Sequence, residues 1–132
     1  MRSFDAQRPR SAPTSFHGLT LTGEPIERTF RGLTLIVAIK PHCDGCREFA
    51  ESTLNEFSAL DVIFVTAEFD LDNEWRDVGH EIVVAPALLI QLDVRWPPFY
   101  ILVDADSARV LVEGVIFAPG QVAEEISPYL PD

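Results

Sequence analysis

Three apolar runs in the chain have the length of a strand rather than that of a helix. The first, LTLIVAI from Leu33 to Ile39, is rich in β-branched residues and apolar at both odd and even positions. This pattern is typical of a strand that is buried on both faces of a sheet. LDVIFVTA (60–67) and FYILVD (99–104) are further strand runs, and EIVVA (81–85) predicts a shorter one. We therefore expect a sheet with a buried centre.

Segments with helical spacing separate these strands. Pro41 stops the first strand, and apolar positions then recur at helical spacing. These positions are Cys46, Phe49, Ala50, Thr53, Leu54 and Phe57. PALLIQLDV (86–94) predicts a second helix, which Pro86 opens. APGQVAEEISPYL (118–130) predicts a C-terminal amphipathic helix. Its apolar side holds Val122, Ile126 and Leu130.

Turn residues complete the order of elements. LTL followed by TGEP, within residues 17–32, predicts a small β-hairpin ahead of the main fold. DADSA (104–108) predicts a turn, and RVLVEG (109–114) predicts the returning strand of a second hairpin. Residues 1–15 are polar and contain prolines, so we expect a flexible tail before a single domain over residues 16–132. The predicted order is β-hairpin, β-α-β, β-α and β-β-α, an α/β fold.

Composition and charge exclude several classes of protein. The chain has 132 residues, of which 47% are hydrophobic, and this suits one globular domain rather than a disordered chain. The formal net charge of −11 argues against nucleic acid or an anionic membrane as a partner. The acidic segment AEFDLDNEWRD (67–77) either forms a solvated loop or gives the protein a preference for basic partners.

Targeting features also guide the expected location. No apolar run approaches the roughly 18 residues of a membrane span, so we expect no membrane segment in this chain. The N-terminus lacks the apolar stretch of a signal peptide. We therefore predict a cytoplasmic protein, and an extracytoplasmic one if a native signal or anchor stands outside this sequence.

The two cysteines, Cys43 and Cys46, have the C-x-x-C spacing and fall between a predicted strand and a predicted helix. A bridge across so short a loop constrains the unfolded chain little, so chemistry explains the pair better than stapling does. The N–H groups and the dipole at a helix N-terminus stabilise a thiolate at Cys43. Cys46 falls at the edge of the apolar face. We predict that Cys43 attacks a partner disulfide and that Cys46 resolves the mixed disulfide.

Other uses of the cysteines stay open at this point. A closed zinc site needs two further ligands, and only His17, His42 and His80 could supply them. Haem attachment would need a histidine where Arg47 stands. Two inert core thiols are a third alternative. We expect the redox pair, with no metal and no cofactor.

Two consecutive prolines precede the strand FYILVD, in the segment VRWPPFYILVD. They either form a rigid loop or place a cis peptide bond at Pro98. A cis proline beside the cysteines would offer a backbone edge with which a partner chain can pair. Trp96 could anchor a peptide there. We therefore predict Trp96, Pro97, Pro98 and His42 as substrate-binding residues. Trp75, in the acidic segment, is predicted to pack on the domain as a lid.

With these features the chain resembles the thioredoxin-fold superfamily, and within it the TlpA-like and redoxin-like thiol-disulfide oxidoreductases. Residues 16–46 resemble the opening hairpin and the active-site strand of that branch. DVRWPPFYILVD (93–104) resembles its cis-proline segment, and VLVEGVIFAPGQVAEEI (110–126) its last strand and helix. The resemblance implies a thioredoxin-like fold with a central mixed β-sheet flanked by helices and an N-terminal β-hairpin. It also implies that Cys43 is the nucleophile and Cys46 the resolving thiol.

The chain departs from that family at several positions around the cysteines. His42 replaces an aromatic residue, Val37 stands where thioredoxins carry a buried carboxylate, Gly45 replaces a proline between the cysteines, and Glu51 replaces the kink proline of the helix. A missing proton relay at Val37 would slow the resolving step. These departures weaken the case for general thioredoxin activity but keep the redox pair.

The main functional prediction is a protein-disulfide reductase or oxidoreductase that exchanges electrons through Cys43 and Cys46. Its partners would be protein or small disulfides and an unidentified dithiol electron donor. The alternative is a non-catalytic binding module of the same fold that uses the Trp96-Pro97-Pro98 surface. A peroxidase is a third hypothesis, disfavoured because Lys40 stands where true peroxiredoxins carry threonine.

Overall fold

The structure is a computed structural model, and it describes residues 10–51, 57, 60–68, 81–94 and 96–130. Within these residues the chain forms one eight-stranded mixed sheet and three α-helices. The strands are β1 (Arg10–Ser11), β2 (Ser15–Thr20), β3 (Pro25–Thr29), β4 (Leu33–Ile39), β5 (Asp61–Thr66), β6 (Ile82–Val84), β7 (Phe99–Asp104) and β8 (Arg109–Val115). The helices are α1 (Asp44–Glu51), α2 (Pro86–Gln91) and α3 (Pro119–Ile126). Across the sheet the strands follow the order β1-β8-β7-β4-β5-β6-β2-β3.

Strand β4 lies at the centre of the sheet. It pairs in parallel with β5 and antiparallel with β7. Residues 34–39 are all buried because neighbouring strands cover both edges and helices cover both faces. This confirms the prediction made from the apolar run at both odd and even positions. The mixed sheet and its helices are those of the thioredoxin-like α/β fold.

The sheet separates two hydrophobic clusters, one on each face. Odd-numbered β4 residues such as Val37 join the cluster that contains Cys46 of α1 and Val122 of α3. Even-numbered ones such as Ile36 join the cluster that contains Leu88 of α2. The alternation follows from the period of two along a strand. Each fully buried aliphatic or aromatic side chain contributes about 1.5–3 kcal/mol, so the two clusters hold the sheet between its helices.

The predicted helices are present. Pro86 and Pro119 open α2 and α3, where a missing N–H costs nothing. Val122 and Ile126 are fully buried, and Leu130 packs partly buried against the same cluster after a 3-10 turn at Ser127–Tyr129. The predicted apolar face of α1 continues through Thr53 and Leu54, which lie outside the described residues. No described helix has both the length and the apolarity that a bilayer span requires.

The N-terminal hairpin is confirmed and belongs to the main sheet. Strands β2 and β3 pair with each other, and Leu19 and Thr20 of β2 also pair with β6. Within the segment predicted to be a flexible tail, Arg10–Ser11 pair with β8. The outer edge of β8 offers unpaired backbone groups, and this short strand covers part of it. Residues 1–9 lie outside the described residues, and the boundary at residue 16 stays a prediction.

Candidate active site

Three chain segments meet at one end of the sheet, beside the start of α1. Strand β4 ends there, and β7 begins there because Ala38 pairs with Phe99 in the antiparallel register. Strand β8 ends there too, since Phe99 also pairs with Val115. The turn after β4 (residues 40–43), the segment before β7 (96–98) and the segment after β8 (116–118) therefore lie side by side. The topology brings together residues that are more than 70 positions apart in sequence.

The cysteine pair occupies the first of these segments. Cys43 immediately precedes α1, Cys46 lies in its first turn, and the two form a disulfide with their Cα atoms 5.2 Å apart. Cys43 is partly exposed, whereas Cys46 is fully buried among the residues of the α1 face. The predicted strand-turn-helix setting is confirmed. The outer sulfur can meet a partner, and the inner one is shielded from it.

The start of α1 favours negative charge on the outer sulfur. The backbone N–H of Cys46 donates a hydrogen bond to Cys43 Sγ at 3.1 Å. When the bridge is reduced, the same N–H and the helix dipole stabilise a Cys43 thiolate over the protonated thiol. Thiolate is the reactive form in disulfide exchange. Local backbone geometry therefore favours Cys43 over Cys46 as the nucleophile, and its role as such stays a prediction.

His42 holds the turn ahead of the disulfide in an uncommon conformation. Its φ of +58° lies in the left-handed region, which histidine adopts more readily than β-branched residues do. Its side chain is exposed. His42 thus lies next to Cys43 in the chain and on the surface, as a substrate-contacting residue would. A role in substrate binding remains a prediction.

The double proline packs against the cysteine turn. The Pro97-Pro98 peptide bond is cis, as predicted from the sequence. A Cβ atom added to Gly45 would lie 3.5 Å from Pro98 Cγ, so the Pro98 ring rests on the turn between the two cysteines. Pro98 is therefore next to the disulfide.

The expected backbone pairing with a partner chain stays a prediction, and the two prolines limit the hydrogen bonds that they could contribute to it. Neither Pro97 nor Pro98 has an N–H, so neither can donate to a partner strand. The Pro98 carbonyl already accepts a hydrogen bond from the Ile116 N–H at 3.0 Å. These two residues thus supply no donor, and one of their two carbonyls is bonded within the sheet.

Two large aromatic side chains are exposed at the same end of the sheet. Trp96 is 72% exposed, and Phe117 is 80% exposed. Trp96 was among the predicted site residues, whereas Phe117 was not singled out. Its position directly before the predicted helix start at APG was the available indication. The other predicted aromatic, Trp75, and His80 lie outside the described residues.

Gln121 of α3 holds the segment that carries Phe117. Its Oε1 accepts hydrogen bonds from the backbone N–H groups of Phe117, at 2.6 Å, and Ala118, at 3.2 Å. Its Nε2 donates to the Val115 carbonyl at 2.9 Å. One side chain therefore fixes both sides of the turn between β8 and α3. Phe117 is exposed on a braced loop.

Tyr100 lies next to the position where the resembling family has a buried carboxylate. Val37 and Tyr100 are paired across β4 and β7, and both are fully buried. Burial, followed by the hydrogen bond to Glu125, raises the pKa of the Tyr100 hydroxyl far above its ordinary range. The Tyr100 hydroxyl is therefore a neutral hydrogen-bond donor. Because valine does not titrate, the core beneath the disulfide has no titrating group at position 37.

The described residues contain no group of three His, Cys, Asp or Glu side chains placed to hold a metal ion. On the hairpin of β2 and β3, His17 Nε2 lies 3.3 Å from Glu27 Oε2. The expectation that the protein uses no metal and no cofactor stays a prediction.

Comparison with known proteins shows the fold through solved structures. No protein-family model matches the chain, and no curated protein matches it significantly. The thioredoxin domain of a thiol-disulfide oxidoreductase from Bacteroides vulgatus is 16% identical with a TM-score of 0.70, and the match covers 92% of this chain and 96% of that one. A thioredoxin-family thiol:disulfide interchange protein from Chlorobium tepidum is 17% identical with a TM-score of 0.67, over 92% and 96%. A secreted disulfide oxidoreductase from Mycobacterium tuberculosis is 13% identical with a TM-score of 0.63, over 86% and 95%.

Proposed function

We propose that the protein is a thiol-disulfide oxidoreductase that acts through Cys43 and Cys46. The observation that carries the proposal is the disulfide at the N-terminus of α1, with one partly exposed sulfur and one fully buried sulfur. The similar structures from Bacteroides, Chlorobium and Mycobacterium are a thiol-disulfide oxidoreductase, a thiol:disulfide interchange protein and a disulfide oxidoreductase, which supports the same activity. An inert structural bridge would gain little from this short loop.

The reaction is two successive exchanges at sulfur. In the reduced protein the Cys43 thiolate attacks one sulfur of a substrate disulfide, a mixed disulfide forms, and the other substrate sulfur leaves as a thiolate. The Cys46 thiolate then attacks Cys43 Sγ, which restores the internal disulfide and releases the second substrate thiolate. Two electrons pass from the protein to the substrate. A dithiol donor of a class not yet identified returns the protein to the reduced form by the reverse steps.

The buried sulfur has a defined part in this scheme. Cys46 is enclosed by apolar residues, so an external disulfide reaches it poorly, and its nucleophilic attack is directed at Cys43. With Val37 in the core in place of a carboxylate, Cys46 must give up its proton without a carboxylate at that position. We therefore expect resolution of the mixed disulfide to be slower than it would be with a carboxylate at position 37.

Substrate class and direction form the finer part of the proposal. Protein disulfides, or small disulfides, are the oxidants in the scheme above, and the protein then acts as a reductase. The cytoplasm suits a reductase, whereas an extracytoplasmic location, as in the secreted mycobacterial protein, suits either direction.

The reduction potential of the Cys43–Cys46 pair tests the proposal. The protein is equilibrated in glutathione and dithiothreitol buffers of known potential, and free thiols are counted by alkylation and mass. A two-electron transition near about −270 mV supports a reductase, and one near about −120 mV supports an oxidant. If the two cysteines form no bridge at any potential, the redox function is wrong.

A second candidate is a non-catalytic binding module. The 72% exposure of Trp96, next to Pro97 and Pro98, favours it because a large exposed indole suits peptide anchoring. A double variant, Cys43→Ser with Cys46→Ser, separates the two. Undiminished affinity for a peptide ligand, together with no exchange activity in the wild type, would favour the binding module.

A further inference from the structure

The outer edge of β8 is covered by a described strand at one end only. Arg10 pairs with Val110 and Ser11 pairs with Arg109, and no other described strand lies on that side of β8. Beyond Val110 the strand continues for five residues, 111–115, which we call the β8 edge. An open strand edge is a template for pairing with another chain, so folded proteins usually cover it.

The hydrogen bonds of β8 show which backbone groups point outward along this edge. The Ile116 N–H donates to the Pro98 carbonyl, so the antiparallel register turns the N–H and C=O groups of the even-numbered residues within 112–116 inward, toward β7. The backbone groups of Glu113 and Val115 therefore point outward. These two residues are the positions at which a further strand can bond to the β8 edge.

Strand β1 has an alternation that suits this edge. The Ala12 N–H donates to the Ala108 carbonyl at 2.8 Å, and Arg10 is paired two residues earlier, so the even-numbered residues of this segment turn their backbone groups toward β8. Continued toward the N-terminus, the same alternation would turn the backbone of Pro9 away from β8. Proline has no N–H and fits an edge strand only where that group would face away from the neighbouring strand. The one proline next to β1 therefore stands where a continued strand tolerates it.

A β-bulge sets the register of such a continuation. The pairing of β8 with β7 shifts by one residue at Leu111, which is the extra residue on β8. Counted past this bulge, Arg8 comes opposite Glu113 and Ala6 comes opposite Val115. Even-numbered residues of the N-terminal segment thus meet the two outward-pointing positions of the β8 edge.

The side chains that meet in this register are complementary. Residues directly opposite each other on antiparallel strands have their side chains on the same face, about 5 Å apart. Arg8 would meet the carboxylate of Glu113, and Ala6 would meet Val115, an apolar side chain that is 37% exposed. Residues 1–10 contain three arginines and one aspartate, whereas the whole chain has a formal net charge of −11. The acidic domain therefore attracts this basic segment.

We propose that residues 5–9, which lie outside the described residues, extend β1 along the β8 edge and close this side of the sheet. Five residues in strand geometry span about 17 Å, and the edge that they cover is also five residues long. The occupant of the edge is thus the chain's own N-terminal segment, which keeps other chains from pairing with β8. The proposal does not depend on the exchange function.

Native-state hydrogen exchange by NMR tests the proposal on single amides of β8. The full chain is compared with a variant that lacks residues 2–9. The amides of Glu113 and Val115 should exchange about tenfold faster or more in the shortened chain, because each loses a backbone acceptor. The amides of Val112 and Gly114, which point toward β7, serve as internal controls and should keep their protection.

Two neighbouring proline substitutions test the register in the full chain. Ala6→Pro removes an N–H that faces β8, so the Val115 amide next to it should exchange faster than in the wild type. Gln7→Pro removes an N–H that faces away from β8 and is the matched control, which should leave the exchange of Val115 unchanged. Equal effects of the two substitutions would contradict the proposed alternation.

A charge exchange tests the contact between Arg8 and Glu113. Arg8→Glu places two like charges opposite each other, so the Glu113 amide should lose protection, and more so at low salt. The double variant Arg8→Glu with Glu113→Arg restores opposite charges and should recover the protection at position 113. Arg2→Glu makes the same change in net charge outside the proposed pairing and should have little effect.

Two results would overturn the proposal. If the amides of Glu113 and Val115 exchange equally fast in the full and shortened chains, the N-terminal segment does not cover the β8 edge. If their protection in the full chain rises with protein concentration and sedimentation shows a dimer, a second copy occupies the edge instead. Reduction of hydroxyethyl disulfide by the same proteins is a separate measurement, and its failure would contradict the exchange function alone.

Discussion

The hydroxyl of Tyr100 donates a hydrogen bond to Glu125 Oε1 at 2.5 Å, which ties a fully buried ring on β7 to an exposed carboxylate on α3. Glu125 also accepts hydrogen bonds from Gln121 Nε2 at 3.2 Å. Since Gln121 accepts hydrogen bonds from the backbone of Phe117 and Ala118, one chain of hydrogen bonds runs from the core to the turn between β8 and α3. Replacing one of these hydrogen-bonding side chains should therefore lower the stability of the fold, loosen the turn between β8 and α3, or do both.

Tyr100→Phe should lower the free energy of unfolding at pH 7 by about 1–2 kcal/mol, because a hydrogen bond to a charged group is lost while packing is kept. The pKa of Tyr100 is raised in the folded protein, so its stabilising effect is complete below the ordinary tyrosine pKa of about 10 and declines above it. Above pH 10 the wild type should lose stability relative to the variant by about 1.4 kcal/mol per pH unit.

Urea unfolding of both proteins at several pH values from 7 to 11 measures this difference. Every other titrating group is common to the two chains, so the difference isolates Tyr100. If the difference in unfolding free energy between the two proteins stays constant up to pH 11, the Tyr100 hydroxyl ionises in the folded protein as it does in the unfolded chain.

Gly18→Ala should destabilise the fold by about 1–3 kcal/mol, the usual cost of overpacking a filled site. A Cβ at this position on β2 would lie 2.7 Å from Val83 Cγ1 and 2.9 Å from the Val84 carbonyl oxygen, and that backbone atom of β6 has little room to move. Gly120→Ala in α3 is the matched control. It meets nothing within 4 Å, so helix propensity should leave stability unchanged or raise it by up to about 1 kcal/mol. Thermal unfolding of the three proteins would contradict the packing argument if both variants behaved alike.

Gln121→Ala should loosen the turn between β8 and α3. The backbone N–H groups of Phe117 and Ala118 lose their acceptor, so their amide hydrogens should exchange about tenfold faster or more. Native-state hydrogen exchange by NMR reads these two amides individually. Glu124→Ala, an exposed neighbour on the same helix, should leave their exchange rates unchanged. Unaltered protection in Gln121→Ala would show that the turn is held by other contacts.

Cys43 in the reduced protein should react with iodoacetamide about tenfold faster than Cys46, or more. Cys43 is partly exposed and its thiolate is stabilised by the N–H of Cys46, whereas Cys46 is fully buried. Peptide mass mapping after short labelling times gives the ratio. The difference should vanish in denaturant, and equal labelling of the folded protein would argue against distinct roles for the two thiols.

Exchange activity should respond differently to loss of each cysteine. Cys43→Ser removes the attacking sulfur, so disulfide exchange should fall to background. Cys46→Ser keeps the attack but not the release, so the variant should accumulate a mixed disulfide with substrate at Cys43. Mass spectrometry under non-reducing conditions detects this adduct. A Cys46→Ser protein that turns over at the wild-type rate would contradict the resolving role.

The candidate site was predictable from sequence where its residues are close together in the chain. Cys43 and Cys46 are three positions apart, and the strand before them and the helix after them are both visible as apolar patterns. The double proline likewise indicated a cis bond, because cis peptide bonds occur almost entirely before proline. Phe117 was not predicted, because its exposure depends on how β8 and α3 meet, and its position before APG was the only local indication.

The sequence by itself determined the local elements: a doubly buried β4, a C-x-x-C pair at the start of α1, and an amphipathic α3. These follow from the periodicity of apolar residues and from turn residues, which act over a few positions. Only the tertiary structure decided that β2 lies against β6, that Arg10–Ser11 extend the sheet beside β8, and that Gln121 braces the turn that carries Phe117. The strand pairings join residues that are distant in sequence and depend on exact register, and many sequences with the same pattern could place them elsewhere. The Gln121 hydrogen bonds span only three to six positions, but they depend on how β8 turns into α3.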